Sequence, residues 1–447
     1  MEDGQLFDVG PAVAGDAVQE TSVPRVQVPV RNQVEFVESD LDSLIPDEHQ
    51  VRAVWAFVEQ ADLSELYAQI KAVEGGAGRT PIDPRMLLAL WLYATLRAIG
   101  SARELDRLCT AHVEYRWLCG GVSVNYHTLA DFRAESGAVL DQVLRDSVAA
   151  LHAAGLVTMD RVAHDGVRVR AHAGSGSFRR KETLERFRTE AEEQVQALKR
   201  ELHDAPGASS ARRKAARTRA AAERLVRVQA ALQQYPDVHA KKKHDKDEAR
   251  VSVTDPEARK MHMADGGTRP AYNVQLSADT GSQIIVGAGV IQSGSDHAQL
   301  VPAVKTLQAQ QGAVPKEMLA DGGFAKPADI ATLAQAPYAC TVYAPPTQFK
   351  DKDGTPLEPK QAEGPDVTAW RERMKTEQAQ TIYRERAATI ECVNALARNR
   401  GLQQFRVRGL VKVYAVVLLF ALAHNLMRAE SLKRERAQQA GAPANTG

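Results

Sequence analysis

Between residues 41 and 155 apolar positions recur every three or four residues, which predicts helices almost throughout. Pro84 stands at a first helical turn, and the stretch behind it, MLLALWLYATLRAIG, is too apolar all round for a surface helix. It belongs in a core. Ser101 precedes Glu104 by three residues, a capping-box spacing that opens SARELDRLCTAH. A third short helix, VEYRWLC, stops at Gly120 and Gly121, and Asn125 caps a fourth, YHTLADFRAESG. Short helices joined by tight turns fit a helix-turn-helix type of DNA-binding domain, or else a purely structural bundle. Arg103, Arg107, Arg116, His127 and Arg133 are the candidate DNA contacts there.

At Leu156 the period shortens to two. VTMDRVAHDGVRVRAHA reads as a strand with Ala163, Asp165, Val167 and Val169 on one face and His164 and Arg168 on the other. Two charged helical segments then form a hairpin. Its seams are Leu184, Phe187, Ala191, Val195, Leu198 and Leu202 on the first arm, and Ala215, Ala222, Leu225 and Leu232 on the second. The second arm, with Arg212, Arg213, Lys214 and Arg217, and residues 241–243 carry the strongest basic clusters. Such a run is either a solvated helix face or a DNA-backbone contact.

Strands resume in AYNVQLSADTGSQIIVGAGVI, two runs about a DTGS turn. Helix (AQLVPAVKTLQAQ), strand (ending MLADGG), helix (PADIATLAQ) and strand (YACTVYA) follow, then a Pro- and Gly-rich loop over 345–366 and further helices. This order predicts a flexible leader over 1–35, a helical domain over 36–155, and a mixed α/β domain over 156–430. The α/β domain carries insertions at 178–250 and 345–366, and 431–447 is expected to be a flexible tail.

Composition narrows the possibilities. Lys and Arg number 57 against 56 Asp and Glu, so nucleic-acid affinity must come from local clusters rather than a uniformly basic surface. Cys109, Cys119, Cys340 and Cys392 have no metal-type spacing and read as reduced thiols of a cytoplasmic protein. MEDGQLFDVG has no apolar core, which argues against a signal peptide. The uncharged stretch 413–427 is short for a membrane span and contains His424 and Asn425, so a buried core helix is expected. The sequence thus predicts a soluble protein without a membrane partner.

The candidate chemistry lies in isolated carboxylates. Asp165 sits on the apolar face of its strand, where an unpaired charge is costly to bury. Asp321 ends an apolar strand at Gly322 and Gly323, at the carboxyl end where ligands of α/β sheets gather. Glu391 shares a helix face with Ala387, Ala388, Ala395 and Arg398. Three acids from three elements suit hard cations such as Mg²⁺. Two such ions, about 3.5–4 Å apart, serve an in-line phosphoryl displacement. Trp370 near the 345–366 loop reads as a core residue or as a platform for an extruded base. His127 and His164 read as structural or solvent-facing, while His262, Asp265, Asp296 and His297 flank strands, with a metal role as the minor alternative.

Residues 34–428 resemble the DDE transposases of bacterial insertion sequences, in particular the insertion-sequence 1182 group with its InsH-type N-terminal domain. The landmarks are LDSLIPDEH, GRTPIDPRMLLALWLYATLRAIGSARELDRLC, YRWLCGG, YHTLADFR and the distal RGLQQFRVRGLVKVYAVVLLFALAHNLMR. The family's D-G-T strand motif is matched by Asp165-Gly166-Val167, and its A-D-x-G by Ala320-Asp321-Gly322-Gly323. Its Y-x-x-R…E-x-x-x-x-x-x-K signature is matched by Tyr383, Arg386, Glu391 and Arg398. Val167 replaces the usual Thr and Arg398 the usual Lys. Four residues separate Arg386 from Glu391, one more than in the related insertion-sequence-4 signature, which leaves open whether Arg384 or Arg386 faces DNA and makes Glu385 the one nearby rival of Glu391.

The resemblance implies a helical DNA-binding domain followed by an RNase H-like catalytic domain. It further implies Asp165, Asp321 and Glu391 as ligands of two Mg²⁺ ions, with Mn²⁺ able to substitute. Tyr383, Arg386 and Arg398 would hold phosphate or orient Glu391. The implied partners are the element's terminal inverted repeats, target DNA and a second copy of the chain in the DNA complex, with the protein at the nucleoid when bound. The alternatives are an RNase H-like nuclease that cuts without joining and a DNA-binding relic that does not cut.

Overall fold

Each predicted N-terminal helix forms, and the caps read from the sequence hold it. The computed structural model describes residues 40–72, 80–204, 211–242, 248–346 and 364–441. The expected leader over 1–35, most of the 345–366 loop and the Arg212 side chain lie outside the described residues. The helices are α1 (Gln50–Gln60), α2 (Ser64–Ala68), α3 (Pro84–Leu96), α4 (Ala102–Ala111), α5 (Val113–Cys119), α6 (Tyr126–Glu135) and α7 (Gly137–Ala153). Ser101 Oγ accepts from Glu104 N at 3.4 Å, and Asn125 Oδ1 accepts from His127 N and Thr128 N at 3.0 and 3.1 Å. Gly120, at φ +53°, closes α5 in the left-handed region that favours glycine. α3 is buried on nearly every side.

The period change at residue 156 leads into β1 (Arg161–Arg170), with β2 (Phe178–Arg179) after it. Helices α8 (Lys181–Asp204) and α9 (Ala211–Lys241) follow and pack on each other. Leu184, Ala191 and Leu198 line the first arm as predicted, seven residues apart. The second seam is out of phase with expectation. Ala215 and Ala222 are exposed, while Lys214, Ala221, Val228 and Ala231 are buried. A lysine at a seam position hid the phase, because its charge makes the stripe read as surface.

The chain continues through β3 (Val251–Ser252), β4 (Arg259–His262), β5 (Thr268–Asp279), β6 (Ile285–Ile291), α10 (Leu300–Gln311), β7 (Glu317–Leu319), α11 (Pro327–Ala334) and β8 (Thr341–Tyr343). The last helices are α12 (Pro365–Lys375), α13 (Glu377–Arg386), a π-helical turn (Ala387–Glu391), α14 (Cys392–Asn399) and α15 (Leu410–Gly441). Six strands form a mixed sheet. β5 pairs antiparallel with β1, β4 and β6, whereas β1, β7 and β8 run parallel, with helices in the connections between them. β2 and β3 pair separately.

Two boundaries differ from expectation. One hydrophobic core crosses residue 155: α15 packs against α1, α3, α6 and α7 on the helical side and against β6 of the sheet. The expected tail is helical to Gly441, because α15 is anchored in that core and its charged end is tied down. Arg436 Nη1 donates to Ala154 O at 3.0 Å, and Lys433 pairs with Glu430 at 3.0 Å. α15 is long and apolar enough to cross a membrane, but 67% of its apolar window is buried in the fold, as a core helix requires.

The distal sequence block holds the sheet in place. Asn425 Nδ2 donates to Ile285 O at 2.8 Å, and its Oδ1 accepts from Ile285 N at 2.7 Å. His424 Nε2 meets Gln283 O at 2.9 Å, and Arg428 Nε donates to Ser282 O at 2.8 Å. One helix face thus satisfies the backbone of the β5–β6 turn. At the other end of α15, Asp255 and Glu257 accept from Gly409 N and Leu410 N, placing carboxylates at a helix N-terminus.

Candidate active site

Strand pairing sets the first two carboxylates side by side. Ala163 of β1 pairs in parallel with Leu319 of β7, and Ala320 N continues the ladder to Tyr343 O. Asp165 and Asp321 each lie two residues beyond that pair. Asp165 thus lies within β1 and Asp321 just past the end of the neighbouring β7, and both line one cleft. Asp321 Oδ1 accepts from Gly323 N, which accounts for the tight Gly-Gly after it.

Asp165 is the more confined of the two. Its Oδ1 accepts from Gly166 N at 2.9 Å, and its Oδ2 accepts from Asn394 Nδ2 at 3.0 Å. Burial pushes its carboxyl up to about 6. The Arg386 guanidinium and the Gly166 N–H oppose that rise, while Asp321 and Asp296 add to it. A small divalent cation would relieve both the burial and the repulsion.

Glu391 reaches the same place through an irregularity in its helix. Residues five apart on an α-helix point in different directions, but the π turn at Ala387–Glu391 absorbs the extra residue that the spacing revealed. Arg386 and Glu391 are thereby brought face to face. Arg386 Nη1 lies 2.8 Å from Glu391 Oε1, and its Nη2 lies 3.3 Å from Asp165 Oδ2. The Arg386 side chain is only 10% exposed, so its guanidinium stands as an internal cation between two of the three acids. Arg384 is the exposed one of the pair. Glu385 is engaged elsewhere, in an ion pair with Arg161, which removes the rival to Glu391.

A cleft of about 760 Å³ contains Asp165, Asp321, Glu391, Asn394 and Arg398. Arg168, Arg170 and Arg269 give its wall a cationic rim. Half-buried Tyr383 lies close by, its hydroxyl proton held more tightly by burial and by the surrounding carboxylates, with Arg386 opposing. Asp296 also lines the cleft: its Oδ1 accepts from Asn273 Nδ2 at 2.6 Å and from Gln275 Nε2 at 3.1 Å, and Arg168 pairs with its Oδ2. These side chains lie over Gly166, where an added Cβ would fall 2.6 Å from Gln275 Nε2 and 2.8 Å from Asn273 Oδ1. The glycine after Asp165 is thus a steric requirement. A second cleft, about 580 Å³ and mainly apolar, lies between α1, α7 and α15 and holds none of these acids.

Other predicted residues are placed differently. Lys214 is 4% exposed and cannot contact DNA from that position. Arg217 faces Glu201 at 3.6 Å, and Arg224 faces Glu190 at 3.2 Å, so part of the basic arm is neutralised by α8. Arg213 is exposed. Arg133 is 6% exposed, lies over Trp91 and donates to Gly100 O, so it is a core residue. Trp370 is buried with its Nε1 donating to Ala344 O, as the core reading has it. His164 is buried between Ser277 and Gln275, with burial pushing its ring down to about 4, so it is neutral. Sequence reasoning missed Asn394, which stands three residues after Glu391, the one signal that could have flagged it, and it left Asp296 among the minor candidates.

The donor set suits a hard divalent ion: carboxylate oxygens throughout, one of them destabilised by burial, beside the buried Asn394 Oδ1, which has no partner. Among the described residues, no three His, Cys, Asp or Glu side chains already converge on one ion position. Arg386 stands in that space.

Comparison with known families gives two matches. The family described as Transposase domain (DUF772) matches residues 39–135, the stretch from before α1 through α6. The family described as Transposase DDE domain matches residues 338–429, which include Tyr383, Arg386, Glu391, Asn394 and Arg398 but neither Asp165 nor Asp321. No curated protein and no solved structure matches.

Proposed function

We propose that this chain, an insertion-sequence DDE transposase by its two domains, cuts DNA at the ends of its element and joins them to target DNA through Asp165, Asp321 and Glu391. The observation that carries this reading is the single cleft containing all three acids with Arg398 on its wall. The enzyme is metal-dependent, and its ions are Mg²⁺, two per site, with Mn²⁺ able to replace them. When bound, they activate the attacking water or 3′-hydroxyl and stabilise the leaving oxygen. The sheet supports an RNase H-like catalytic core: β1, β5 and β6 antiparallel with the short β4 on the edge of β5, then β7 and β8 parallel to β1 and reached through helices.

Within that site the chain's own groups divide the work. Asp165 on β1 and Asp321 just after β7 present oxygens to one cleft, and Glu391 closes the set from its helix. Arg398, exposed on the wall, is placed to hold a backbone phosphate. Tyr383, close to Arg386 and the three acids, holds phosphate or orients Glu391. The short helices α4 to α6 bind the terminal repeats, with exposed Arg103 and Arg116 as candidate contacts while Arg107 is paired with Glu104, and a second copy joins on paired ends. Exposed Arg213 on the α9 arm adds a non-specific backbone contact.

The test is cleavage and joining of a labelled duplex carrying the element's end. Asp165→Asn, Asp321→Asn and Glu391→Gln should each lower the rate at least about a hundredfold while leaving duplex binding, which comes from cations, largely intact. A variant within tenfold of the parent would strip that residue of its role. Cutting without joined product would favour a simple nuclease.

A further inference from the structure

We propose that Asn394 is a positioning residue of this cleft, tying the helix that carries Glu391 to the Asp165 carboxylate and so setting their separation for a divalent cation. The inference rests on Asp165 and Glu391 being the ligands. Asn394 lies on α14, one turn beyond Glu391, and is 3% exposed. Its Nδ2 donates to Asp165 Oδ2 at 3.0 Å, joining groups 229 residues apart in sequence. That donation also fixes the amide's orientation, since the carboxylate can only accept.

Asp165 Oδ2 has two side-chain partners of different character. Arg386 is a cation, so an incoming metal ion competes with it for the same oxygen. Asn394 is neutral and donates a single hydrogen bond, so it need not leave when a cation arrives. Once the guanidinium gives way, the amide still ties the Glu391 helix directly to the Asp165 carboxylate. Groups that orient ligands in this way govern metal affinity although they touch no metal.

The other end of the amide points to the same conclusion. Asn394 Oδ1 is buried on the cleft wall without a hydrogen-bond partner. Folded proteins seldom leave such an acceptor unused. A residue serving packing alone would be apolar here, as its neighbours Val393 and Ala397 are.

The experiment titrates the full chain with Mn²⁺ in the absence of DNA, following free Mn²⁺ by electron paramagnetic resonance, for the parent, Asn394→Leu and Asn394→Ser. Leucine keeps the branched shape and removes both polar ends. Its dissociation constant for Mn²⁺ should rise about tenfold or more. In cleavage assays its half-saturating Mn²⁺ should rise by more than its maximal rate falls, a split that loss of folded protein would not produce. A folded Leu variant that binds Mn²⁺ within twofold of the parent overturns the proposal. If Leu does not melt cooperatively, Ser is read by the same criterion. Asp165→Asn is the control: if the parent shows no saturable Mn²⁺ binding, or this variant binds equally well, the ligand assignment itself fails.

Discussion

Arg386 should make metal binding harder, and its removal should make it easier. The guanidinium spans Asp165 and Glu391 at 3.3 and 2.8 Å, so an ion bridging those acids must displace it from at least one. The two contacts differ in strength. Glu391 is 55% exposed, so despite its short distance that pair is screened and contributes about 1 kcal/mol or less. The Asp165 contact joins side chains 10% and 19% exposed, where removing one partner of an ion pair costs about 3 kcal/mol. In Arg386→Gln that cost falls on the metal-free protein alone, because a bound cation supplies the missing charge. If half of it is recovered on binding, Mn²⁺ affinity rises roughly tenfold; full recovery gives about a hundredfold.

Isothermal titration with Mn²⁺ at neutral pH, without DNA, measures this directly. Thermal melting supplies an independent sign: Arg386→Gln should melt below the parent in EDTA, yet gain more from added Mn²⁺. An affinity equal to or below the parent's would refute the competition and leave Arg386 as an orienting group for Glu391. Asn394, on the same carboxylate oxygen, is expected to act in the opposite direction. Opposite signs from two contacts to one atom cannot come from a general loosening of the site.

Other outcomes follow from the same geometry. Because burial raises the Asp165 carboxyl to about 6, the native state holds a proton that the unfolded chain has lost between about pH 4 and 6, so stability falls as pH rises through that window. Asp165→Asn should therefore gain melting temperature relative to the parent as pH is raised from about 4 to 7 in EDTA, whatever the offset left by the lost Arg386 contact; a difference that does not change with pH would refute the assigned cause. Gly166→Ala must displace Gln275 and Asn273 from Asp296, and should cost about 1–3 kcal/mol in denaturant unfolding. Asn425→Leu should cost at least about 2 kcal/mol by the same measure, since it strands the buried N–H and C=O of Ile285. Deleting Ala387 should convert the π turn to regular helix and keep Mn²⁺ binding; loss of binding would show that the extra residue does more than fill the turn.

Much of the frame was legible because it depends on local periodicity. The parity of β1 put Asp165 on its proper face, the apolar run before Gly322 located Asp321, and capping spacings marked α4 and α6. The extra residue between Arg386 and Glu391 was visible as a spacing, but its consequence, a π turn that turns Arg386 inward, depends on packing that no spacing encodes. Lys214 and Arg133 read as surface cations because charge outweighs position in any one-dimensional pattern. Asn394 was invisible for the reverse reason: an asparagine within an amphipathic helix is ordinarily a solvated residue, and only its partner 229 residues away makes it otherwise. β4 is four residues long and charged at its start, too short for alternation to register.

The joint between the helical region and the sheet was the least legible feature and bears most on how the protein works. Sequence order suggests two modules meeting near residue 155, but α15 lies across that joint. Its apolar residues cover α3, α6 and α7, while His424, Asn425 and Arg428 hold the turn that follows β5. A fragment ending at residue 155 would expose the faces of α3 and α7 that α15 covers, an apolar area of the kind that drives association rather than DNA recognition. End binding by α4 to α6 is therefore to be measured on the whole chain. The cleft inherits the same constraint, because β5, whose turn α15 grips, is the strand paired with Asp165. A force on α4 to α6 reaches β1 through packed helix and hydrogen-bonded strand.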